Sequence, residues 1–224
     1  MVKSERKPIE EIKDSIKGYK NILNIGCGGC SSVCLSGGQR EVNMLNAELN
    51  TLFKAENGSQ KIDGYTIERQ CNAKYYYDLP EILLNYDCIL SMACGAGVQL
   101  AAEIFSNKPV FPAVNTVSIG IDRDIGMYEE KCRACGQCVL GYTAGICPVT
   151  RCAKSLFNGP CGGTNGGGMC EISNEIPCAW HDIYERLKEQ NRLDDILKIQ
   201  PVMMWQNQVQ RTTIQEPYKE RYGK

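Results

Sequence analysis

The stretch Asn21-Ile-Leu-Asn-Ile-Gly26 is a short apolar run that ends in glycine, the pattern of a buried strand. It is followed by Arg40–Glu56, in which apolar residues recur at helical spacing. Asp63–Arg69 then alternates between apolar and polar residues and predicts a second strand. Because strands that alternate with helices favour parallel pairing, the stretch predicts the start of a parallel α/β sheet.

The same alternation continues as far as residue 114. Helices are predicted at Leu79–Asn85 and Val98–Ser106, and strands at Asp87–Ala93 and Pro109–Val114. The predicted fold class is therefore α/β, with an N-terminal parallel-sheet domain of flavodoxin- or Rossmann-like type over residues 1–120.

The rest of the chain has a different character. Residues 126–178 hold eight cysteines and many glycines but little periodicity, so bound metal would have to organise them. We predict a cysteine-rich, ferredoxin-like cluster domain with little regular structure over residues 121–200. An amphipathic helix at Pro177–Ile199 closes that domain. Residues 201–224 are predicted to form an extended tail, whose apolar side chains lie on the parent domain or grip another subunit.

The composition sets the compartment and excludes several partners. The chain has 14 cysteines among 224 residues, and its charged start does not have the pattern of a secretory signal. We therefore expect a cytoplasmic protein with reduced, metal-binding thiols, and a disulfide-bonded secreted protein is the competing interpretation. A net charge of -1 gives no electrostatic case for nucleic acid, and no apolar run is long enough to insert into a membrane.

Three N-terminal cysteines each follow a predicted strand: Cys27, Cys71 and Cys94. Ligands of open parallel sheets lie beyond the carboxyl ends of the strands, so these thiols are expected to converge. The compact run Cys27-Gly-Gly-Cys30-Ser-Ser-Val-Cys34 offers three thiolates to one cluster. Its fourth ligand is expected to be Cys94, which opens a helix, or alternatively Cys71. Cys88 lies within an apolar strand and is interpreted as a plain buried cysteine.

The second set is Cys132-Arg-Ala-Cys135-Gly-Gln-Cys138, the C-x2-C-x2-C run of bacterial ferredoxins. This spacing lets three successive thiolates bind three corners of a [4Fe–4S] cubane. A Cys-Pro pair usually follows after three residues, whereas Cys147-Pro148 here follows after eight. Cys147 is the expected fourth ligand, and an exchange of ligands with a neighbouring set stays open.

The third set consists of four cysteines on glycine-rich loops: Cys152, Cys161, Cys170 and Cys178. Four thiolates suit either a third iron–sulfur cluster or a zinc ion. We therefore expect two or more [4Fe–4S] clusters in the chain, with zinc possible at one site. The single histidine, His181, is interpreted as a surface or partner-facing residue. No phosphate-loop, dinucleotide-binding or hydrolytic triad pattern is present.

Several of these stretches resemble the MetV family, the small cysteine-rich subunits of methylenetetrahydrofolate reductases of acetogenic bacteria. The family is also called the methylenetetrahydrofolate reductase C-terminal domain. The most specific stretch is Cys147-Pro-Val-Thr-Arg-Cys-Ala-Lys-Ser-Leu-Phe-Asn-Gly-Pro-Cys161-Gly-Gly, and Ser91-Met-Ala-Cys94-Gly-Ala-Gly-Val-Gln is a second. The resemblance covers most of residues 20–190.

The resemblance implies a flavin-bearing TIM-barrel partner, which binds FMN and reduces methylenetetrahydrofolate to methyltetrahydrofolate. This chain would then be the non-catalytic electron-transfer subunit of that oxidoreductase, and an upstream electron donor protein would supply it. The FMN is expected in the partner and not in this chain. Two other hypotheses stay open: a zinc-organised docking subunit of the same complex, and a stand-alone methyl-transfer enzyme with a zinc–thiolate site.

Overall fold

The computed structural model describes residues 1–205 and 212–222. The chain divides into two compact units, Met1–Glu130 and Lys131–Lys224. The sequence-based limits of the domains, at residues 120 and 200, stay predictions. In the described ranges, no helix has both the length and the apolar character that crossing a membrane requires.

The first unit contains the N-terminal sheets and the helices that cover them. Its elements are β1 (Val2–Arg6), α1 (Ile9–Ile16), β2 (Asn21–Cys27), α2 (Cys30–Val33), α3 (Gln39–Ala55), β3 (Lys61–Ile67), α4 (Leu79–Ile82), β4 (Cys88–Met92), α5 (Gly95–Ile104), β5 (Val110–Pro112), β6 (Val114–Asp124) and β7 (Met127–Cys132). Each predicted strand and helix of residues 21–114 is present, with ends that differ by a few residues.

Four strands form the predicted parallel sheet, in the order β3-β2-β4-β5. In the register of the sheet, Cys27 lies opposite Ile67, and Gly26 lies opposite Met92. The carboxyl ends of β2, β3 and β4 therefore meet at one edge, where Cys27, Cys71 and Cys94 follow them. The parallel sheet is confirmed, and its flavodoxin- or Rossmann-like type stays a prediction.

Two apolar layers hold this sheet. On one face, Val42, Leu45 and Leu49 of α3 pack with Ile12 and Ile16 of α1, and all five are fully buried. The other layer includes Leu79, Leu83, Ala101 and Phe105. Each buried Leu or Ile contributes about 1.5–3 kcal/mol of transfer free energy, so the two layers stabilise the unit without any metal.

A second sheet, in the order β1-β6-β7, is antiparallel and was not predicted. β1 is a polar strand whose Ser4 is buried and hydrogen bonded to Ser31 and Ser36. β6 and β7 run through residues 114–132, part of which we predicted to have little regular structure. In β6, apolar Val117, Ile119 and Ile121 alternate with Ser118 and Gly120, a strand signal that the prediction did not use. Most side chains of β6 and β7 are exposed or half-buried.

The second unit has few regular elements, as predicted. They are α6 (Pro148–Arg151), β8 (Met169–Cys170), β9 (Ser173–Pro177), α7 (Ala179–Glu189) and α8 (Lys219–Tyr222). Its core is a small cluster around Trp180, Ile183 and Leu187 of α7, with Ala144 and Ile146 packed against them. The organisation of residues 131–205 by bound metal stays a prediction.

Two predictions for the C-terminal region were partly wrong. The helix predicted over Pro177–Ile199 ends at Glu189, because Asn191 takes a left-handed φ of 55° that interrupts it. The tail predicted to be extended contains α8. Met203 is buried, whereas Met204 is exposed. Residues 206–211 and 223–224 of the predicted tail lie outside the described residues.

Candidate metal centres

The first candidate centre is the edge of the parallel sheet where Cys27, Cys71 and Cys94 lie. Burial raises the pKa of the Cys27 thiol, and backbone N–H groups of Gln70 and Gly29 lower it by hydrogen bonding to the sulfur. The nearby Cys94 and Cys71 thiols then raise this pKa further. Cys71 and Cys94 are therefore each within electrostatic reach of Cys27, and their role as metal ligands stays a prediction.

Gln70 is a buried residue whose hydrogen bonds connect the strands at this edge of the sheet. Its side chain is fully buried, and its Nε2 donates to the carbonyl of Ile25 at 2.7 Å. Its Oε1 accepts from the hydroxyl of Ser91 at 2.7 Å, and its carbonyl accepts from the hydroxyl of Tyr76 at 2.7 Å. Gln70 thus joins β2 to β4 and sets the position of Cys71, the next residue in the chain.

Cys30 and Cys34 lie at the two ends of α2. Cys34 is buried, and its Sγ donates to the carbonyl of Val2 in β1 at 3.5 Å. Burial raises the pKa of the Cys34 thiol, and the neighbouring Cys30 raises it further. Cys34 therefore faces β1, while Cys27 has Cys71 and Cys94 beside it. Of the predicted set of Cys27, Cys30, Cys34 and Cys94, the structure brings Cys27 and Cys94 together and pairs Cys34 with Cys30.

Cys88 and His181 were not predicted to bind metal, and both lie in the surroundings expected from the sequence. Cys88 is fully buried in β4, and burial raises the pKa of its thiol to about 12. A thiol with such a pKa stays protonated and packs as a small apolar group. His181 is exposed on α7, where its ring lies against Gly168.

The second candidate centre lies in the second unit and contains the whole ferredoxin-type set. Cys132, Cys135, Cys138 and Cys147 all line one cavity of about 300 Å³. Ala134 and Gly136 take left-handed φ angles of 51° and 87°, which curl the loop and let the backbone N–H of Ala134 donate to Cys132 Sγ at 3.3 Å. The late Cys147, at the start of α6, thus reaches the same cavity as the C-x2-C-x2-C run.

The third candidate centre contains the four cysteines of the glycine-rich loops. A small cavity of about 10 Å³ is lined by Cys152, Cys161, Cys170 and Cys178. That volume is about the space of one water-sized sphere. Nine, nine and eight positions separate these residues in the chain, so the surrounding loops bring together thiols that the sequence could only group by number.

Polar groups reach two sulfurs of this third centre. The backbone N–H of Gly163 donates to Cys161 Sγ at 3.4 Å, and the Lys154 Nζ lies 3.6 Å from the same sulfur. Together they lower the pKa of the Cys161 thiol, with the backbone hydrogen bond as the largest cause. Thr164 Oγ1 lies 2.9 Å from Cys178 Sγ. Such donors stabilise thiolates, the form that binds metal.

In the described part of the chain, the thiol side chains that line these cavities do not point at a common metal position. Within residues 1–205 and 212–222, no three Cys, His, Asp or Glu side chains have the arrangement of a metal-binding group. Every one of the 14 cysteines is a free thiol. Individual thiols donate to protein carbonyls, as Cys135 does to Gln137 at 3.7 Å. The donor chemistry and the shared cavities fit a metal, and rotation of the thiol side chains would be needed to bind one.

Sequence reasoning missed three residues of these centres: Gln70, Lys154 and Thr164. They belong to common residue types and follow no spacing rule, since their roles depend on loops that bring distant positions together. The sole signal available was proximity in sequence: Gln70 precedes a candidate ligand, and Lys154 follows one by two positions.

Comparison with known proteins agrees with the cysteine pattern. No curated protein and no solved structure is significantly similar to the chain. Residues 111–206 match the family model described as methylene-tetrahydrofolate reductase C terminal. This range contains the second and third candidate centres and ends beyond α7. Residues 111–206 are therefore similar to the methylene-tetrahydrofolate reductase C-terminal family, in agreement with the resemblance seen in the sequence.

Proposed function

We propose that this chain is the iron–sulfur electron-transfer subunit of a methylenetetrahydrofolate reductase. The observation that carries the proposal is that two complete four-cysteine sets each line one cavity in the region that matches the family. A structural zinc ion needs four ligands, so two four-cysteine sets within about fifty residues are more than one zinc site requires. Reductases of this kind need single-electron carriers when a flavin and a protein donor exchange electrons.

The three centres would hold different groups. The cavity lined by Cys132, Cys135, Cys138 and Cys147 has room for a [4Fe–4S] cubane. The cavity of about 10 Å³ around the third set fits a single tetrahedral ion such as zinc. At the sheet edge, the proximity of Cys71 and Cys94 to Cys27 supports these three cysteines as ligands, and Cys34, whose thiol faces β1, lies outside the set.

A bound cluster would supply reversible one-electron chemistry, and the protein would set its environment. Backbone N–H groups of Gly29 and Gln70 are placed to donate to the Cys27 sulfur, and that of Ala134 donates to Cys132. Hydrogen bonds of this kind stabilise the more negative, reduced state. Burial of Cys27 acts in the opposite direction, because it penalises added negative charge.

The partners belong to the same proposal. A flavin-bearing TIM-barrel subunit would receive the electrons on its FMN and reduce methylenetetrahydrofolate, and an upstream protein would donate them. No residue of this chain is assigned to folate or flavin. The free state of all 14 thiols supports a reducing compartment such as the cytoplasm.

The test is the iron, sulfide and zinc content of the full chain purified anaerobically, together with EPR of the reduced sample. We expect roughly eight or more irons with matching sulfide, from two cubanes, and about one zinc ion. Cys135→Ser should lose one cluster and block donor-driven reduction of the flavin in the partner. The matched control is Cys88→Ala, at a buried cysteine that lines none of the three centres.

The alternative is a zinc-organised docking subunit, which the small size of the third cavity favours. It predicts zinc without iron, a colourless protein, and unchanged flavin reduction in Cys135→Ser. Either stoichiometric zinc without iron or normal flavin reduction in that variant would refute the electron-transfer proposal.

A further inference from the structure

The third centre needs positive charge near its ligands. Four thiolates around one divalent cation carry two net negative charges, and burying such a charge is unfavourable unless it is paired or hydrogen bonded. Two of the four ligands, Cys152 and Cys178, are half-buried and pack against the small core of the unit. Cys161 and Cys170 lie on the loops that complete the cavity.

Lys154 meets this need from a defined position. It follows Cys152 by two residues, and its Nζ lies 3.6 Å from the Sγ of Cys161. The same ammonium makes an ion pair with Glu171, the residue after Cys170. The Glu171 Oε1 is itself 3.9 Å from Cys161 Sγ. One side chain therefore connects the three loops that carry Cys152, Cys161 and Cys170.

The backbone is shaped to admit this ion pair. A Cβ atom on Gly163 would lie 2.2 Å from the Glu171 carboxylate, so any side chain at position 163 would push the carboxylate away. Gly162 has a φ of 80°, and this turn directs the N–H of Gly163 at Cys161 Sγ. Gly162 and Gly163 thus allow the hydrogen bond to the Cys161 thiol and leave space for the Glu171 carboxylate.

We propose that Lys154 is the charge-compensating residue of the third metal centre, held on the Cys161 thiolate by Glu171. This inference rests on the proposed metal-binding function of that centre. Lys154 is a positioning residue that acts through Cys161, and it binds no metal itself. Its ammonium keeps the metal in the site by offsetting the charge of the thiolates.

The experiment is a chelator challenge of the full chain, with the release of zinc and iron followed over time. The metal that Cys161→Ser lacks identifies the metal of the third centre. Lys154→Met should release that metal to EDTA about 10-fold faster than wild type, the usual effect of removing a group that supports a ligand. Lys154→Arg should stay close to wild type, and Gly163→Ala should be intermediate because it displaces Glu171.

Lys188→Met is the matched control, because Lys188 is exposed on α7 and pairs with Glu185. The proposal is overturned if Lys154→Met releases the third-centre metal no faster than Lys188→Met, or if Lys154→Arg releases it as fast as Lys154→Met. A Cys161→Ser chain with the full wild-type metal content would remove the third centre itself, and the proposal with it. Such a result would leave the clusters at the other two centres unaffected.

Discussion

Gln70 is the residue through which the sheet edge is tied to its candidate ligands. Its side chain bridges the carbonyl of Ile25 and the hydroxyl of Ser91, and its backbone N–H reaches the Cys27 sulfur. A leucine of similar size would leave the carbonyl and the hydroxyl buried without those partners. Such groups cost about 1–3 kcal/mol each when they lose a hydrogen bond in the interior.

We therefore expect Gln70→Leu to lower the free energy of unfolding by about 2–4 kcal/mol, measured by urea denaturation. The matched control is Gln99→Leu, at an exposed glutamine of α5 that hydrogen bonds within its own helix. Equal losses in the two variants would show that the buried network has no special role.

Cys34 and Cys71 give a direct test of the N-terminal ligand set. Because Cys71 lies near Cys27 while the Cys34 thiol faces Val2, Cys71→Ser should lose the metal of the sheet-edge centre and Cys34→Ser should keep it. Iron and sulfide analysis of the two purified variants measures the difference. If Cys34→Ser loses iron and Cys71→Ser does not, the ligands of this centre are the set predicted from sequence: Cys27, Cys30, Cys34 and Cys94.

Much of the candidate chemistry was predictable from single residues. Cysteine spacing grouped the second and third sets, and each set lines one cavity, while metal binding at both stays a prediction. The position of the Cys34 thiol, which faces Val2 of β1, was not predictable. It depends on an antiparallel strand, β1, that occupies the side of α2 where Cys34 lies, and the polar sequence of β1 gave no sign of this.

At the scale of elements, Asp87 anchors the start of β2 to the residues before β4. Its carboxylate accepts the backbone N–H groups of Lys20 and Asn21 at 3.0 and 2.8 Å. These hydrogen bonds lower the pKa of the Asp87 carboxyl. The stabilising effect is therefore fully present above the carboxyl's unfolded pKa and is lost as the pH falls through the folded pKa.

We expect Asp87→Asn to flatten the acid side of the stability-versus-pH curve and to leave its neutral-to-alkaline slope unchanged. Thermal melts at a series of pH values would measure this. Asp14→Asn, at an exposed carboxylate on α1 that pairs with Lys17, is the control. A variant curve parallel to that of wild type in acid would show that Asp87 does not contribute to the pH dependence.

The elements found from sequence share one property, which is a buried apolar face. β2, β4 and α3 lie against the two apolar layers, so their periodicity was visible. β1 and β7 are strands of mostly polar residues without a clear apolar period. β6 does alternate at Val117, Ile119 and Ile121, but these side chains are exposed and the strand was not predicted. The early end of α7 depends on the backbone at Asn191, which side-chain spacing does not reveal.

At the scale of the whole molecule, the two units differ in the size of the apolar cores that stabilise them. Residues 1–130 have two extensive apolar layers, whereas the second unit has one small cluster on α7 and three stretches of cysteine-bearing loop. We therefore expect metal removal to unfold the second unit and to leave the first folded. Amide hydrogen exchange of the full chain should show protection lost in residues 131–205 and kept in β2, β4 and α3.

The comparison is the same chain with its metal retained, and Cys88→Ala serves as a variant control that should behave like wild type. Protection that survives in residues 131–205 after complete metal removal would contradict the dependence of this unit on metal. Loss of protection in β2 and β4 as well would mean that the apolar layers do not suffice for the first unit.

The thiols of the three centres differ in their access to solvent, and this difference has a consequence for survival in air. Cys132 and Cys138 are exposed at a wide cavity, whereas the sheet edge combines Cys27, which is 7% exposed, with the half-buried Cys94 and the exposed Cys71. Dioxygen and peroxide attack exposed cubanes first, so oxidation should proceed in a fixed order. The ferredoxin-type centre, with two exposed thiols, would therefore be oxidised first and would stop transferring electrons before the sheet-edge centre, which has one exposed thiol.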